Sequence, residues 1–135
     1  MPLTAGEFYM NKIIEEWIRK ADADYATASR EMSVREDTNF DAICFHSQQC
    51  IEKLMKALLI KNGQTPPKIH DLFHLSLLLS PVCKKWSCRH EDLRYLTRAS
   101  VDFRYPGESA DKDEAAHALE ICSNLRTVLH QLLSE

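Results

Sequence analysis

The sequence has few of the residues on which β-sheet proteins depend for their turns. It contains only three glycines and five prolines in 135 residues, and an antiparallel sandwich needs such residues at its many tight turns. The composition therefore predicts an all-α protein. With 44% apolar residues the chain can bury one adequate core, so we expect a single helical domain over residues 1–135.

The chain also lacks a long apolar run and an excess of basic residues. No stretch reaches the roughly 18 apolar residues of a membrane-spanning helix, and the first ten residues do not follow the pattern of a secretory leader. We therefore expect a cytoplasmic protein without a membrane partner. The net charge of −3 argues against a general nucleic-acid binder, so such a function needs a local basic cluster. The five cysteines are an odd number, which indicates free thiols in a reducing compartment.

The strongest helical pattern runs from Asn39 to Gly63. Asn39 or Asp41 is expected to begin this helix, and Gly63 to end it, because glycine readily takes the left-handed conformation after a helix. The predicted core stripe consists of Phe40, Ile43, Cys44, Ser47, Ile51, Leu54, Met55 and Leu58. Three more apolar residues lie outside it, namely Phe45, Leu59 and Ile60. They predict that this helix has more than one neighbour.

Four further segments have helical patterns, which gives a four- to five-helix up-and-down bundle. These segments are residues 7–32, 70–80, 89–101 and 111–133. The first is expected to bury Met10, Ile14, Trp17, Ala21, Tyr25, Ala28 and Met32, and the second Leu72, Leu75, Leu78 and Leu79. Pro66 and Pro67 predict an extended link before the short second segment. Asp111 and Glu114 have the spacing of a capping box, and Trp86 is expected to pin the irregular segment 82–88.

A polar row lies opposite the stripe of the central helix. It contains His46, Gln49, Lys53 and Lys56, and their spacing of three or four residues places them on one side of the helix. The two lysines repel each other unless an anion or a carboxylate lies between them, and Glu52 is a candidate for one of them. The row predicts a phosphate or partner contact. The alternative is a solvated helix face.

Basic residues also cluster between positions 84 and 104. Arg94 and Arg98 are i,i+4 neighbours, a like-charge pair that costs a few tenths of a kcal/mol unless an acidic or phosphate partner meets it. The alternative is pairing with the acidic stretch 108–114. Tyr95 and Tyr105 lie beside the cluster, where they either stack on a base or occupy the edge of the core.

The sequence offers little evidence for a metal or for a nucleophilic enzyme. His70 and His74 have the i,i+4 spacing of zinc-hydrolase ligands. However, four residues separate Cys83 from Cys88 rather than two, and no third ligand has a suitable position. A nucleophile elbow and a glycine-rich phosphate loop are both missing. We therefore assign no metal, no cofactor and no catalytic residue.

Three motifs, in order along the chain, resemble the HEPN domain family. They are residues 45–59 (FHSQQCIEKLMKALL), residues 69–72 (IHDL) and residues 104–107 (RYPG), with Gly63 between the first two. Three matches in order are more specific than any one of them. The resemblance implies a four- or five-helix bundle, usually a homodimer, often encoded beside a minimal nucleotidyltransferase. It also implies an association with nucleotides or RNA.

Many HEPN proteins are metal-independent RNases that carry an arginine, four to six further residues and then a histidine. No arginine of this sequence has a histidine at that spacing, and only three residues separate Arg126 from His130. We therefore expect a non-nucleolytic nucleotide- or RNA-binding module that pairs with itself and with a nucleotidyltransferase-like protein. One alternative is an RNase toxin of a toxin-antitoxin pair that uses a displaced histidine, His46 or His70. Another is a purely structural dimeric scaffold.

The resemblance and the basic residues together predict one nucleotide or anion pocket. Its members are His46, Gln49, Lys53, Lys56, His70, Asp71, Arg104 and Tyr105, with Arg94 and Arg98 as a secondary basic patch. The competing interpretation is structural. In that case Asp71 caps the third helix and His70 bonds a loop carbonyl.

Overall fold

The computed structural model describes all 135 residues and contains five α-helices. They are α1 (Ala5–Met32), α2 (Phe40–Lys61), α3 (Leu72–Leu79), α4 (His90–Asp102) and α5 (Lys112–Leu133). The helix α2 contacts each of the other four. The prediction of an all-α bundle organised around this helix is confirmed. None of the five helices has the length and apolar character needed to cross a bilayer.

One cluster of 25 buried apolar side chains joins the five helices. The largest fully buried side chains that α2 contributes are Ile43, Ile51, Leu54, Met55, Leu58 and Leu59. Leu59 and Ile60, which lie outside the predicted stripe, are 1% and 8% exposed. They are buried because α2 has neighbours on several sides, as their position in the sequence predicted.

Polar contacts fix both ends of α2. The side chain of Asn39 caps its start, and Gly63, at a φ of 79°, follows its last turn. Asp41, the other candidate for the start, accepts a hydrogen bond from the backbone N–H of Ala110 at 2.7 Å. The start of α2 is thereby tied to the residues that precede α5.

The first turns of α1 extend past the packed part of the bundle. With 28 residues against 22, α1 is longer than α2 by about 9 Å at 1.5 Å per residue. Residues 1–12 are all exposed. Met10, which the sequence predicted to face the core, is 40% exposed, so that prediction is wrong. The start of this helix is stabilised by a capping box between Thr4 and Glu7 rather than by contact with the core.

The inward face of the short helix α3 includes a serine. Ser76 is 4% exposed, whereas Leu78, which was predicted to face inward, is 38% exposed. The prediction for Leu78 is wrong because Leu72, Leu75 and Leu79 define a face that passes through position 76 rather than 78. The indole Nε1 of Trp86 donates to the Ser76 hydroxyl at 2.9 Å. Trp86 therefore pins the segment between α3 and α4, as predicted.

Candidate functional site

A surface hollow of about 480 Å³ lies where the start of α2 meets the end of α4. It is lined by Asn39, Asp41, Ala42, Phe45, His46, Ser100, Phe103 and Arg104. Of the predicted pocket residues, His46 and Arg104 line this hollow. The helix α2 positions the histidine, and the arginine lies two residues beyond the last residue of α4. Residues far apart in sequence are thus brought to one place.

Arg104 enters the hollow in a fixed orientation. Its Nε donates to the carbonyl of Ser100 at 3.0 Å, and its guanidinium lies 5.5 Å from the centre of the Phe45 ring. No carboxylate oxygen lies within 4.0 Å of this guanidinium. Its two terminal nitrogens therefore remain available for a ligand. The Arg104 side chain loses less conformational freedom when a ligand binds, because its guanidinium is already oriented.

A buried carboxylate on α1 orients His46. Asp24 is 8% exposed, and its two oxygens contact His46 Nδ1 at 2.7 Å and Lys53 Nζ at 2.5 Å. A carboxylate only accepts hydrogen bonds, so Nδ1 of the imidazole carries the hydrogen. The remaining ring nitrogen, Nε2, is the one that can bind a ligand. Lys53 is neutralised by the same carboxylate.

Three other predicted residues gather around a second buried carboxylate, that of Glu52. Its oxygens contact Lys56 Nζ at 3.1 Å, His70 Nδ1 at 3.1 Å and Gln49 Nε2 at 3.5 Å. Glu52 and Lys56 are 4% and 6% exposed, so this lysine is not part of a solvated face. The side chain of Gln48 adds a bond to the carbonyl of His70 at 2.9 Å. The cluster fastens the segment before α3 onto α2.

The last predicted residues lie elsewhere. Asp71 caps α3 by accepting from two backbone N–H groups of its first turn, as the structural interpretation predicted. Arg94 and Arg98 line a groove between α3 and α4 together with Asp71. Tyr105 is 63% exposed. The structure thus distributes the predicted residues over separate places rather than in one pocket.

The acidic stretch 108–114 does not neutralise the basic cluster. Asp111 and Glu114 form the capping box of α5, with bonds of 2.8 and 3.0 Å. No ion pair joins this stretch to residues 84–104. Tyr95 donates its hydroxyl to the carbonyl of Glu114 at 3.0 Å, and burial raises the pKa of Tyr95. This tyrosine is therefore held at the edge of the core, whereas Arg94 and Arg98 form no ion pair within 4.0 Å.

Neither a histidine cluster nor the three buried thiols add another site. His70 contacts Glu52, and no three His, Cys, Asp or Glu side chains come together as a metal ion would need. Cys44, Cys50 and Cys122 are fully buried. Burial raises the pKa of Cys44 to about 12, so its thiol stays protonated and unreactive at neutral pH.

Comparison with known proteins decides the family. The model of the HEPN domain matches residues 14–132. The chain belongs to the HEPN family. Its fold is similar to that of TT1696 from Thermus thermophilus, with a TM-score of 0.72 and 17% identity over 88% of this chain and 97% of that chain. It is also similar to ST0689, an archaeal HEPN homologue, with a TM-score of 0.63 and 21% identity over 89% and 97%. No curated protein matches the chain.

The second and third HEPN motifs of this chain each contact the first. The first motif supplies Phe45 and His46 to the hollow, and the third supplies Arg104. The second motif supplies His70, whose ring contacts Glu52 of the first. The sequence did not reveal Asp24, which holds His46 in place. The sequence pattern that could have indicated Asp24 is its place three residues after Ala21 and four before Ala28, on the buried face of α1.

An arginine and a histidine one helical turn apart on α5 also lie close together. Arg126 Nε and His130 Nε2 contact the same oxygen of Asp22, at 3.2 and 2.7 Å. The guanidinium also lies 4.5 Å from the centre of the Tyr25 ring. Both side chains therefore join α5 to α1, and they do not line the hollow.

Proposed function

We propose that this HEPN chain binds a phosphate group of a nucleotide or of RNA in the hollow beside His46 and Arg104, without cleaving RNA. The observation that carries the proposal is the oriented guanidinium of Arg104, which has no carboxylate partner. Such a fork matches two oxygens of a phosphate. Asp41 also lines the hollow, but it accepts from Ala110 and stands in the first turn of α2. There the helix dipole offsets its charge.

The chemistry of the hollow supports binding rather than cleavage. To cleave RNA, a site must remove the proton of a ribose 2′-hydroxyl and deliver a proton to the leaving 5′-oxygen. His46 Nε2 can accept the first proton. No second histidine or lysine lines the hollow to donate the other. Phe103 offers an apolar contact for the ribose or base, which is what a binding site requires.

Replacing Arg104 by glutamine is expected to weaken nucleotide binding at least about tenfold, because a hydrogen bond to a charged group contributes about 1.5–3 kcal/mol. Fluorescence anisotropy with labelled ATP and a labelled oligouridylate measures the dissociation constants. Arg19→Gln is the matched control, since Arg19 is exposed on α1 and makes no ion pair. Equal dissociation constants for both variants would sink the proposal. If the wild-type chain binds no nucleotide at all, the scaffold interpretation stands.

RNA cleavage is the second candidate, and the contact between Asp24 and His46 Nδ1 favours it, because a carboxylate often orients a general base in this way. We expect the purified chain to leave an oligoribonucleotide intact. Products ending in a 2′,3′-cyclic phosphate would establish cleavage if they appear with the wild-type chain and are lost with His46→Gln. The same strand with 2′-deoxyribose is the substrate control.

The partner proposals rest on family membership. We propose that the chain forms a homodimer and pairs with a nucleotidyltransferase-like protein, as the HEPN resemblance implies. Light scattering on the purified chain tests the first proposal, which a monomer at every concentration would contradict. A gene for a nucleotidyltransferase beside the gene for this chain supports the second, and its absence weakens it.

A further inference from the structure

A second surface depression, the groove between α3 and α4, shares no lining residue with the hollow at Arg104. Its volume is about 440 Å³, and it is lined by Asp71, Phe73, Arg94, Thr97, Arg98, Val101 and Asp102. Val101 is 41% exposed, and Leu77 is 53% exposed one helical turn beyond Phe73 on α3. The lining therefore combines two arginines and two aspartates with an aromatic ring and one exposed aliphatic side chain, and Leu77 lies next to Phe73 on the exposed side of α3.

Arg94 is held against an aromatic ring, and neither arginine has a carboxylate within ion-pair distance. The guanidinium of Arg94 lies 4.5 Å from the centre of the Phe73 ring, and His90 packs edge-on against the same ring at 5.0 Å. No carboxylate oxygen lies within 4.0 Å of Arg94 or Arg98. Two like charges one turn apart are unfavourable without an anionic partner. The arginine side of the groove thus offers two positive charges one helical turn apart, and two aspartates line the rest of the groove.

We propose that this groove docks an acidic amphipathic helix of a partner protein. Carboxylates four residues apart on that helix pair with Arg94 and Arg98, because both pairs then have the same i,i+4 spacing. Apolar side chains of the helix cover Phe73, Leu77 and Val101. The proposal does not depend on phosphate binding at Arg104, which lies in a different hollow.

The groove fits a protein helix better than RNA. Aliphatic side chains such as Leu77 and Val101 offer no face on which a base stacks, and Arg94 already covers the ring of Phe73. Asp102 also lines the groove. The phosphates of an RNA chain would run past this carboxylate and be repelled by it, whereas the docked helix places its two carboxylates at the arginines.

A second copy of this chain does not supply the required helix. None of its five helices carries two acidic residues three or four positions apart within the helix. On α1, Glu16 already pairs with Lys20. A different protein is therefore the occupant that the charge pattern selects.

A phage-displayed library of helical peptides tests the proposal. It is selected on the wild-type chain and counter-selected on the Arg94→Gln/Arg98→Gln double variant. We expect the enriched peptides to carry acidic residues four apart beside leucines and to bind the double variant at least about tenfold more weakly, since two charged hydrogen bonds are lost. Leu77→Glu should also abolish binding, because it places a carboxylate against the acidic helix.

Two matched variants show whether the effect is specific to the groove. Arg30→Gln/Arg35→Gln removes two exposed charges that line no part of it, and Arg104→Gln removes the phosphate-binding arginine. Both should bind the selected peptides as the wild type does. Circular dichroism confirms that each variant is folded, which is expected because all the substituted side chains are exposed.

Three results would overturn the proposal. The first is enrichment of peptides without acidic residues, or of peptides that bind the double variant equally well. The second is a labelled oligouridylate that displaces the peptides and itself requires Arg94 and Arg98, which would assign the groove to RNA. The third is a self-association of the wild-type chain that the double variant loses, which would assign the groove to a second copy.

Discussion

Replacing Glu52 by alanine is expected to lower the free energy of unfolding by about 3–5 kcal/mol, because it leaves a buried ammonium without a counter-charge. The side chains of Glu52 and Lys56 are 5% and 8% exposed, and their charged atoms lie 3.1 Å apart. The substitution also removes the acceptor of His70 and Gln48. Urea unfolding followed by far-ultraviolet circular dichroism measures the loss.

The chain provides a matched control for this prediction. Glu16 and Lys20 form a pair with the same spacing and order on α1, but their side chains are 55% and 60% exposed. Glu16→Ala should therefore cost no more than about 0.5 kcal/mol. The double variant Glu52→Leu/Lys56→Met should regain most of the stability, since apolar residues replace a buried pair at little cost. A loss below about 1 kcal/mol for Glu52→Ala would contradict the assignment.

Periodicity predicted most of the fold because core packing repeats along a helix. The stripe of α2, its end at Gly63 and the capping box of Asp111 with Glu114 all lie in the sequence as local patterns. Met10 was placed wrongly because periodicity does not reveal where a neighbouring helix ends. Leu78 was placed wrongly because Ser76, a polar residue, takes the inward position to bind Trp86.

The candidate site was harder to predict because it depends on partners from distant helices. The row of His46, Lys53 and Lys56 was visible in α2, and Glu52 was correctly named as the partner of one lysine, but the carboxylate from α1 was not recognised. Asp24 of α1 takes the first two residues, and Glu52 takes the third. Spacing within one helix shows which side chains share a side. It does not show which of them a neighbouring helix neutralises.

Trp86→Ala is expected to lower the free energy of unfolding by about 3–5 kcal/mol, the range for removing a large buried aromatic side chain. Trp86 is 5% exposed and belongs to the core although it lies between helices. The substitution leaves a cavity and removes the donor to the buried hydroxyl of Ser76. Circular dichroism is the appropriate probe of unfolding, because the variant also loses one of the two tryptophans that contribute to fluorescence.

Trp86→Phe separates the two contributions to this loss. Phenylalanine keeps much of the volume but cannot donate to Ser76, so the cost should fall to about 1–3 kcal/mol, the penalty of a buried unsatisfied hydroxyl. Adding Ser76→Ala to Trp86→Phe removes that hydroxyl and should recover part of the difference. Because the indole donates to Ser76 of α3, Trp86→Ala should also loosen α3 and weaken peptide binding in the groove even where the chain remains folded. An unchanged stability for Trp86→Ala would show that the indole does not stabilise the core beside α3.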